Sequence, residues 1–144
     1  MRNVVGALRA CLLMFVVGSI TFALCGCSTS MPGVDGASRV LTRWSVSSLD
    51  PADFTITATF ADGQVTGAFA VNRYHGTYTA GADGAFSVSA LSATKMAGPE
   101  PAMRAQSTYV ELLAKVHWYR VDGDQLTLLD AQHNELLTFT SGEA

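Results

Sequence analysis

The sequence is poor in cysteine, in proline and in charge. Its 144 residues include 3 cysteines and 4 prolines, and 15% of them are charged. All three cysteines, Cys11, Cys25 and Cys27, lie near the start of the chain, so a domain built from the rest has no internal disulfide to stabilise it. The net charge of −3 includes no basic excess, which excludes a general nucleic-acid binder.

Motifs that carry catalysis or hold a cofactor are also missing. The sequence has neither the Gly-x-Ser-x-Gly turn of a serine hydrolase nor a glycine-rich phosphate loop. His75, His117 and His133 are too far apart for paired zinc ligands, and Asp122-Gly123-Asp124 lacks the frame of a calcium loop. We therefore expect no catalytic residue, no metal site and no cofactor. An envelope hydrolase whose catalytic residues converge only in the fold is the alternative.

The first 26 residues have the pattern of a secretory signal. Arg2 and Arg9 are followed by residues 10–24, which contain no charge. A helix of that length spans roughly 22 Å, short of the ~30 Å hydrocarbon core of a bilayer. A cleaved signal is therefore favoured over a permanent membrane-spanning anchor.

The end of this signal resembles a bacterial lipobox. Leu24-Cys25-Gly26-Cys27 places a leucine and a small residue before a cysteine. In such signals diacylglycerol alkylates the cysteine thiol and a peptidase cuts before it. The pattern predicts cleavage between Gly26 and Cys27 and lipidation of Cys27. Two alternatives stay open. The signal could be an ordinary cleaved one, or Cys25 could be the modified residue, although Phe22-Ala23-Leu24 before it is a poor lipobox.

Residues 27–39 are rich in Ser, Gly and Pro and are predicted to form a flexible tether. Cleavage removes Arg2 and Arg9, so the net charge moves from −3 to −5. Two or three acyl chains anchor a protein stably where one does not. We expect an exported acidic domain, residues 40–144, that is lipid-anchored at the periplasmic face of an outer membrane or the outer face of a cytoplasmic membrane.

Most of this domain alternates in the manner of short β-strands. Phe54, Ile56, Ala58 and Phe60 share one face of a strand, and Asp62-Gly63 supplies the positive φ of a tight hairpin. Strands are predicted at 40–49, 54–60, 64–70, 77–79 and 85–91, with residues 72–76 as a loop.

The periodicity changes over residues 100–115, where apolar residues recur at helical spacing behind Pro99 and Pro101. Strands follow at 116–121, 125–129 and 135–140. This order predicts an α+β, mostly β, fold. It is a bent antiparallel sheet or open β-barrel of about eight short strands, with one helix between strands five and six.

Several short motifs occur in order through the domain. They are Trp44, Phe60-Ala61-Asp62-Gly63-Gln64-Val65-Thr66-Gly67, Asn72-Arg73-Tyr74-His75-Gly76-Thr77-Tyr78, Leu91-Ser92-Ala93-Thr94-Lys95-Met96-Ala97, Glu111-Leu112-Leu113 and Tyr119-Arg120-Val121-Asp122-Gly123-Asp124-Gln125-Leu126-Thr127-Leu128. On these motifs, residues 40–140 resemble the META domain (HslJ-like) family of bacterial envelope proteins. The resemblance implies a small β-rich fold and no agreed biochemical activity.

The chain departs from the family pattern at two positions. The family often reads Gly-Cys-Asn-Arg at a first loop and Thr-Arg-Met-Ala-Cys at a second, and Val71 and Gly98 stand here in place of the two cysteines. Because both cysteines are replaced together, the resemblance implies a disulfide in relatives and close contact between Val71 and Gly98 in this chain.

Residues 72–76 form the densest cluster of side chains of the types that binding sites often use. In one interpretation the cluster is structural: Asn72 caps a turn, Tyr74 packs and Gly76 takes a positive φ. In the other, Asn72, Arg73, Tyr74 and His75 form a candidate recognition loop at a barrel mouth, with Arg73 and His75 as donors.

Together these patterns favour a monomeric, non-enzymatic lipoprotein that contacts the membrane through Cys27. It would bind a protein client or another envelope component in envelope maintenance or stress, and it would not bind nucleic acid. The alternatives are a pilotin- or chaperone-like protein that holds an apolar segment of a client, and a carrier of a small apolar ligand in the barrel interior. A filled interior would leave the surface for function, and a hollow one would favour carriage.

Overall fold

The computed structural model describes residues 34–36 and 38–142. One 3₁₀ turn, Pro51–Asp53, lies between the first two strands. The strands and the helix are β1 (Ser38–Trp44), β2 (Thr57–Ala61), β3 (Gln64–Phe69), β4 (Asn72–Ala80), β5 (Phe86–Ala93), α1 (Glu100–Leu113), β6 (Trp118–Asp122), β7 (Gln125–Leu129) and β8 (Glu135–Ser141).

The strands form one antiparallel sheet in the order β5-β4-β3-β2-β1-β8-β7-β6. Its two edges meet at one end only, where Ala85 pairs with Trp118 and the Tyr119 amide donates to the Gly84 carbonyl at 2.8 Å. The sheet is therefore a half-barrel. The predicted fold class, with eight strands and a helix between strands five and six, is confirmed.

Helix α1 packs one face onto the inside of the half-barrel. Ala105, Tyr109, Leu112 and Leu113 are its buried residues, at the helical spacing that the sequence indicates. The helix contacts β3 and β8. It ends at Leu113, two residues earlier than predicted.

Aromatic side chains occupy the interior. The Phe60 ring meets the rings of Tyr78, Phe86 and Phe139 edge-on, with centroids 5.2, 5.8 and 6.5 Å apart. Edge-to-face packing at these distances stabilises a core beyond simple area burial. Ile56, Ala58 and Phe60 are all fully buried, as predicted from alternation, whereas Phe54 is half-buried and precedes β2.

The hairpin turn between β2 and β3 forms as expected at Asp62-Gly63, where both residues have positive φ (51° and 73°).

The loop predicted at residues 72–76 is wrong. A turn at Ala70, whose φ is 51°, and Val71 leads directly into β4, the longest strand. Gly76 does not take a positive φ either. It is needed for space, since a Cβ there would lie 3.1 Å from the Ser89 carbonyl oxygen.

Part of the segment predicted to be a tether packs against the domain. Val34 is fully buried in the core, and the Gly36 amide donates to the Phe60 carbonyl at 2.8 Å. The predicted signal, the cleavage site at Gly26 and the lipidation site at Cys27 lie outside the described residues.

Candidate binding site

The four residues of the predicted recognition loop alternate across strand β4. Asn72 and Tyr74 point into the half-barrel and are 1% and 3% exposed, whereas Arg73 and His75 are exposed on the outer face. This is the period-2 geometry of a strand. The structure therefore separates the four into two pairs with different surroundings.

Asn72 has every hydrogen-bonding position of its amide in use. Its Nδ2 donates to the Met96 carbonyl at 3.0 Å and to Gln106 Oε1 at 2.8 Å. Its Oδ1 accepts from Thr94 Oγ1 at 2.9 Å and from the Met96 amide at 2.7 Å. An amide side chain offers two donors and two acceptor positions. Asn72 thus holds the β5–α1 connection and the helix in place, and has no group left for a ligand.

Tyr74 is held as firmly. Its ring stacks on Phe69 with centroids 4.8 Å apart. Its hydroxyl donates to the Thr57 carbonyl at 2.8 Å, so the 2.8 Å contact with Tyr109 has Tyr109 as the donor. Burial raises the pKa of Tyr74, opposed by the hydrogen bond from Tyr109; burial also raises the pKa of Tyr109, and the charge of Tyr74 adds to that shift. Both hydroxyls therefore stay neutral at physiological pH.

The Tyr74 hydroxyl reaches Thr57 because the pairing of β2 with β3 is interrupted. Thr59 pairs with Thr66 and Ile56 bridges to Phe69, but residues 57–58 of β2 are not paired with residues 67–68 of β3. The Ala68 amide donates instead to Thr57 Oγ1 at 3.1 Å. Gly67 permits this arrangement, since a Cβ there would overlap the Thr57 carbonyl oxygen and lie 2.9 Å from Tyr74 Cε1.

The outer face carries a cleft of about 480 Å³ at this interruption. We call it the Arg73 cleft. Its lining residues are Thr55, Thr57, Thr59, Thr66, Gly67, Ala68, Arg73 and Tyr74. The volume falls in the range of small-molecule sites. His75 lies beside the cleft, since it pairs with Thr66 on the neighbouring strand.

The Arg73 guanidinium forms no salt bridge within the described ranges 34–36 and 38–142, unlike other exposed arginines. Arg43 and Arg120 both pair with Glu135, and Arg104 pairs with Glu100. None of the residues that line the cleft is acidic. The cleft therefore presents a cation whose charge is not neutralised by any acidic side chain in the described part of the chain.

A second cleft, of about 270 Å³, lies between β1 and β8. It contains Arg43 together with Glu135, whose Oε2 is 3.4 Å from the Arg43 guanidinium. Because Arg43 already has Glu135 as an ionic partner, this cleft lacks the unpaired cation that distinguishes the Arg73 cleft.

Arg73 and Tyr74 of the cleft are predicted from the sequence, whereas its threonines are not. Thr55, Thr57 and Thr59 alternate with the buried residues of β2, so a signal was present on the polar face of that strand. The hydrogen bond that Tyr74 makes at the interruption of the β2–β3 pairing has no local signal, because Tyr74 comes from a third strand, β4.

The remaining predicted positions do not add to this site. His75, His117 and His133 lie on β4, before β6 and in the β7–β8 turn. Across the part of the chain that the structure describes, no three His, Cys, Asp or Glu residues are grouped so as to hold a metal ion. In the same residues, no helix has both the length and the apolar character needed to cross a membrane.

Val71 and Gly98 are in direct contact. A Cβ at Gly98 would overlap Val71 Cγ2 and lie 3.3 Å from Val71 Cβ. This confirms the proximity implied by the family resemblance. The glycine leaves room for the larger valine, and the contact fixes the β5–α1 connection beside the Asn72 hydrogen bonds.

The sequence model of the META domain matches residues 34–143. The chain belongs to the META domain family. The match begins at the buried Val34, so the family domain includes the short segment that packs before β1.

Two solved structures share the fold of this META domain. An NMR structure of a protein from Burkholderia xenovorans superposes with a TM-score of 0.64 at 24% identity, over 77% of this chain and 85% of that one. Another NMR structure gives a TM-score of 0.53 at 19% identity, over 75% of this chain and 91% of that one. At these identities the likeness shows the fold alone. No curated protein matches the chain.

Proposed function

We propose that this META-domain protein is a lipid-anchored, non-enzymatic protein of the bacterial envelope, and that it binds an envelope component through the Arg73 cleft. The observation that carries the proposal is the cleft itself, where Arg73 has no salt bridge within the described ranges 34–36 and 38–142 and the other lining residues are uncharged. An exposed cation without a partner in the protein is a ready contact for a partner outside it.

The chemistry of the cleft supports binding over catalysis. Arg73 is its one permanently charged lining residue, and a guanidinium stays protonated near neutral pH and cannot accept a proton. The Tyr74 and Tyr109 hydroxyls are buried and hydrogen-bonded to each other, and burial raises the pKa of each. None of these groups is suited to act as a general base near neutral pH.

The interior supports surface binding over carriage. Phe69 stacks on Tyr74, and Tyr109 lies within 5.9 Å of Phe69 and 6.4 Å of Phe139 by ring centroid. These side chains contact one another across the space that a carried ligand would need.

An apolar groove between β5 and α1 favours the alternative in which the protein holds an apolar segment of a client. It is lined by residues such as Leu91 and Val110, but its volume of about 120 Å³ suits little more than one side chain.

The binding proposal is tested by site-specific photo-crosslinking in native membranes. A photoreactive amino acid at His75, beside the cleft, should give a discrete adduct that disappears on Arg73→Ala. The same probe at Arg104, on the exposed face of α1, provides the matched control. Adducts of equal yield at both positions, or an adduct that survives Arg73→Ala, would contradict the proposal.

The anchor is tested separately with the two neighbouring cysteines. Cys27→Ser should release the protein from the membrane fraction and remove the mass of the acyl chains, whereas Cys25→Ser should leave the protein anchored. Membrane retention of the Cys27→Ser protein would refute lipidation at this residue. Release by Cys25→Ser alone would move the modification to Cys25.

A further inference from the structure

We infer that the Arg73 cleft recognises the oxyanion, a carboxylate or a phosphate, of a small hydroxylated ligand such as an acidic sugar. The inference rests on the proposed binding function and specifies what the cleft would bind. It follows from three features of the outer face: the charge distribution, the orientation of Thr57 and the shape of the guanidinium.

The chain has 12 acidic residues, yet none of them lies within β2, β3, β4 or β5. Asp62 and Asp83 lie in the turns at the far end of these strands from Arg73, and Asp53 precedes Thr55 without lining the cleft. Arg73 is therefore the one charged side chain among the residues that line the cleft, on an otherwise acidic protein. A cation in such surroundings attracts anions.

The Thr57 hydroxyl is oriented by the backbone. One lone pair of Thr57 Oγ1 accepts the Ala68 amide proton at 3.1 Å. The hydroxyl proton is thereby directed away from that amide and is available to a ligand acceptor. Thr59 and Thr66, paired across the strands at the same cleft, add hydroxyls that both donate and accept. These groups match the hydroxyls and oxygens of a sugar.

The guanidinium selects the anionic group. Its planar fork donates two parallel hydrogen bonds to a carboxylate or a phosphate, and charge-assisted pairs of this kind are stronger than neutral hydrogen bonds. Since the cleft contains no carboxylate that would compete, the oxyanion would come from the ligand. A phosphate and a carboxylate meet the same fork, so the experiment has to separate them.

The test uses the full chain in a neutral polyoxyethylene detergent, titrated with glucose 6-phosphate, glucuronate and glucose. Amide chemical shifts of Ala68 and Arg73 report on the cleft. We expect at least one of the two anions to shift these signals with a millimolar or tighter Kd that weakens as salt is added, while glucose does not. The anion that binds more tightly identifies the oxyanion.

Two variants decide the role of the guanidinium. Arg73→Ala should weaken binding about tenfold or more, and Arg73→Lys should recover part of it, because an ammonium is a point charge without the fork. Arg104→Ala, which removes an exposed arginine elsewhere, should leave the Kd unchanged. The inference would be overturned if the folded protein bound neither anion. It would also be overturned if Arg73→Ala left the Kd of both anions unchanged. Glucose that binds as tightly as the anions would overturn it as well.

Failure of this inference is distinguishable from failure of the proposed function. If crosslinking at His75 depends on Arg73 but neither acidic sugar binds, the cleft binds a partner of other chemistry and only the oxyanion inference falls. If the crosslink is indifferent to Arg73, the proposed function itself falls, whatever the titrations give.

Discussion

The two faces of strand β4 share a backbone but differ in how completely their polar groups are used. On the inner face, Asn72 makes four hydrogen bonds and Tyr74 makes two. On the outer face, Arg73 and His75 are exposed side chains beside an open cleft. Within one five-residue motif, alternate residues therefore face the packed interior and the cleft for which we propose a binding role. The contrast predicts that substitutions on the inner face cost stability and that those on the outer face cost binding.

The largest effect is expected from Asn72→Ala. The substitution removes partners from Thr94, Gln106 and both backbone groups of Met96, and each buried group left unsatisfied costs about 1–3 kcal/mol. Met96 is 55% exposed, so water replaces part of what is lost. We expect about 3 kcal/mol lower stability in urea denaturation. Gln106→Ala, which removes a single partner, should cost about 1 kcal/mol. Equal losses in the two variants would refute the central role of Asn72.

A stabilising change is expected from replacing Val71 and Gly98 together by cysteine. The Cβ positions are 3.3 Å apart, near the 3.5–4.5 Å that a disulfide needs, so a small adjustment allows the bond. In a Cys27→Ser background, oxidation should raise the free energy of unfolding by about 2 kcal/mol. Reduction of the same protein is the control. No gain on oxidation, once mass spectrometry confirms the bond, would show that the β5–α1 connection is already fixed by Asn72 alone.

A smaller, pH-dependent effect is expected from the tyrosine pair. Because burial raises the pKa of Tyr74 and Tyr109, the unfolded chain loses these protons near pH 10 while the folded chain keeps them. Their contribution to stability is therefore present below pH 10 and is lost as pH rises above it. Tyr109→Phe should lower the free energy of unfolding by about 1 kcal/mol at pH 7. It should also make the free energy of unfolding fall less steeply between pH 10 and pH 11. An unchanged slope would contradict the raised pKa of Tyr109 in the folded protein.

The smallest effect on stability is expected from the outer face. Arg73→Ala and His75→Ala, alone or together, should change the free energy of unfolding by no more than about 0.5 kcal/mol, since both side chains are exposed and the Arg73 guanidinium forms no salt bridge in the described residues 34–36 and 38–142. Thermal denaturation measures this directly. A loss comparable to that of Asn72→Ala would remove the distinction between the two faces.

Local patterns were sufficient to predict most of the fold. The alternation of Ile56, Ala58 and Phe60 identified a buried face, and the positive φ at Asp62-Gly63 followed from residue type. Such features depend on neighbours in sequence. The contact of Val71 with Gly98 was reached differently, through a family resemblance that implied a disulfide in relatives.

The error at residues 72–76 has a non-local cause. Asn72 is a polar residue on the inner face, and it is tolerated there because Met96 and Gln106, 24 and 34 residues further along, satisfy its amide. No window around Asn72 contains those partners, so the segment had the composition of a loop. The Arg73 cleft was out of reach for the same reason, since it needs three strands and a tyrosine hydroxyl that reaches the main chain of Thr57.

The burial of Val34 has a consequence for how the protein would stand on a bilayer. Val34 is seven residues after Cys27, and a fully extended chain of that length reaches no more than ~25 Å. With Cys27 acylated, the end of the half-barrel near Phe60, where residues 34–36 dock, would be held close to the lipid headgroups. Arg73 lies near the start of β4, at the opposite end of the strands, and would face the aqueous side. Neutron reflectometry on a supported bilayer would measure this orientation, and a domain lying with its Arg73 end against the headgroups would disprove it.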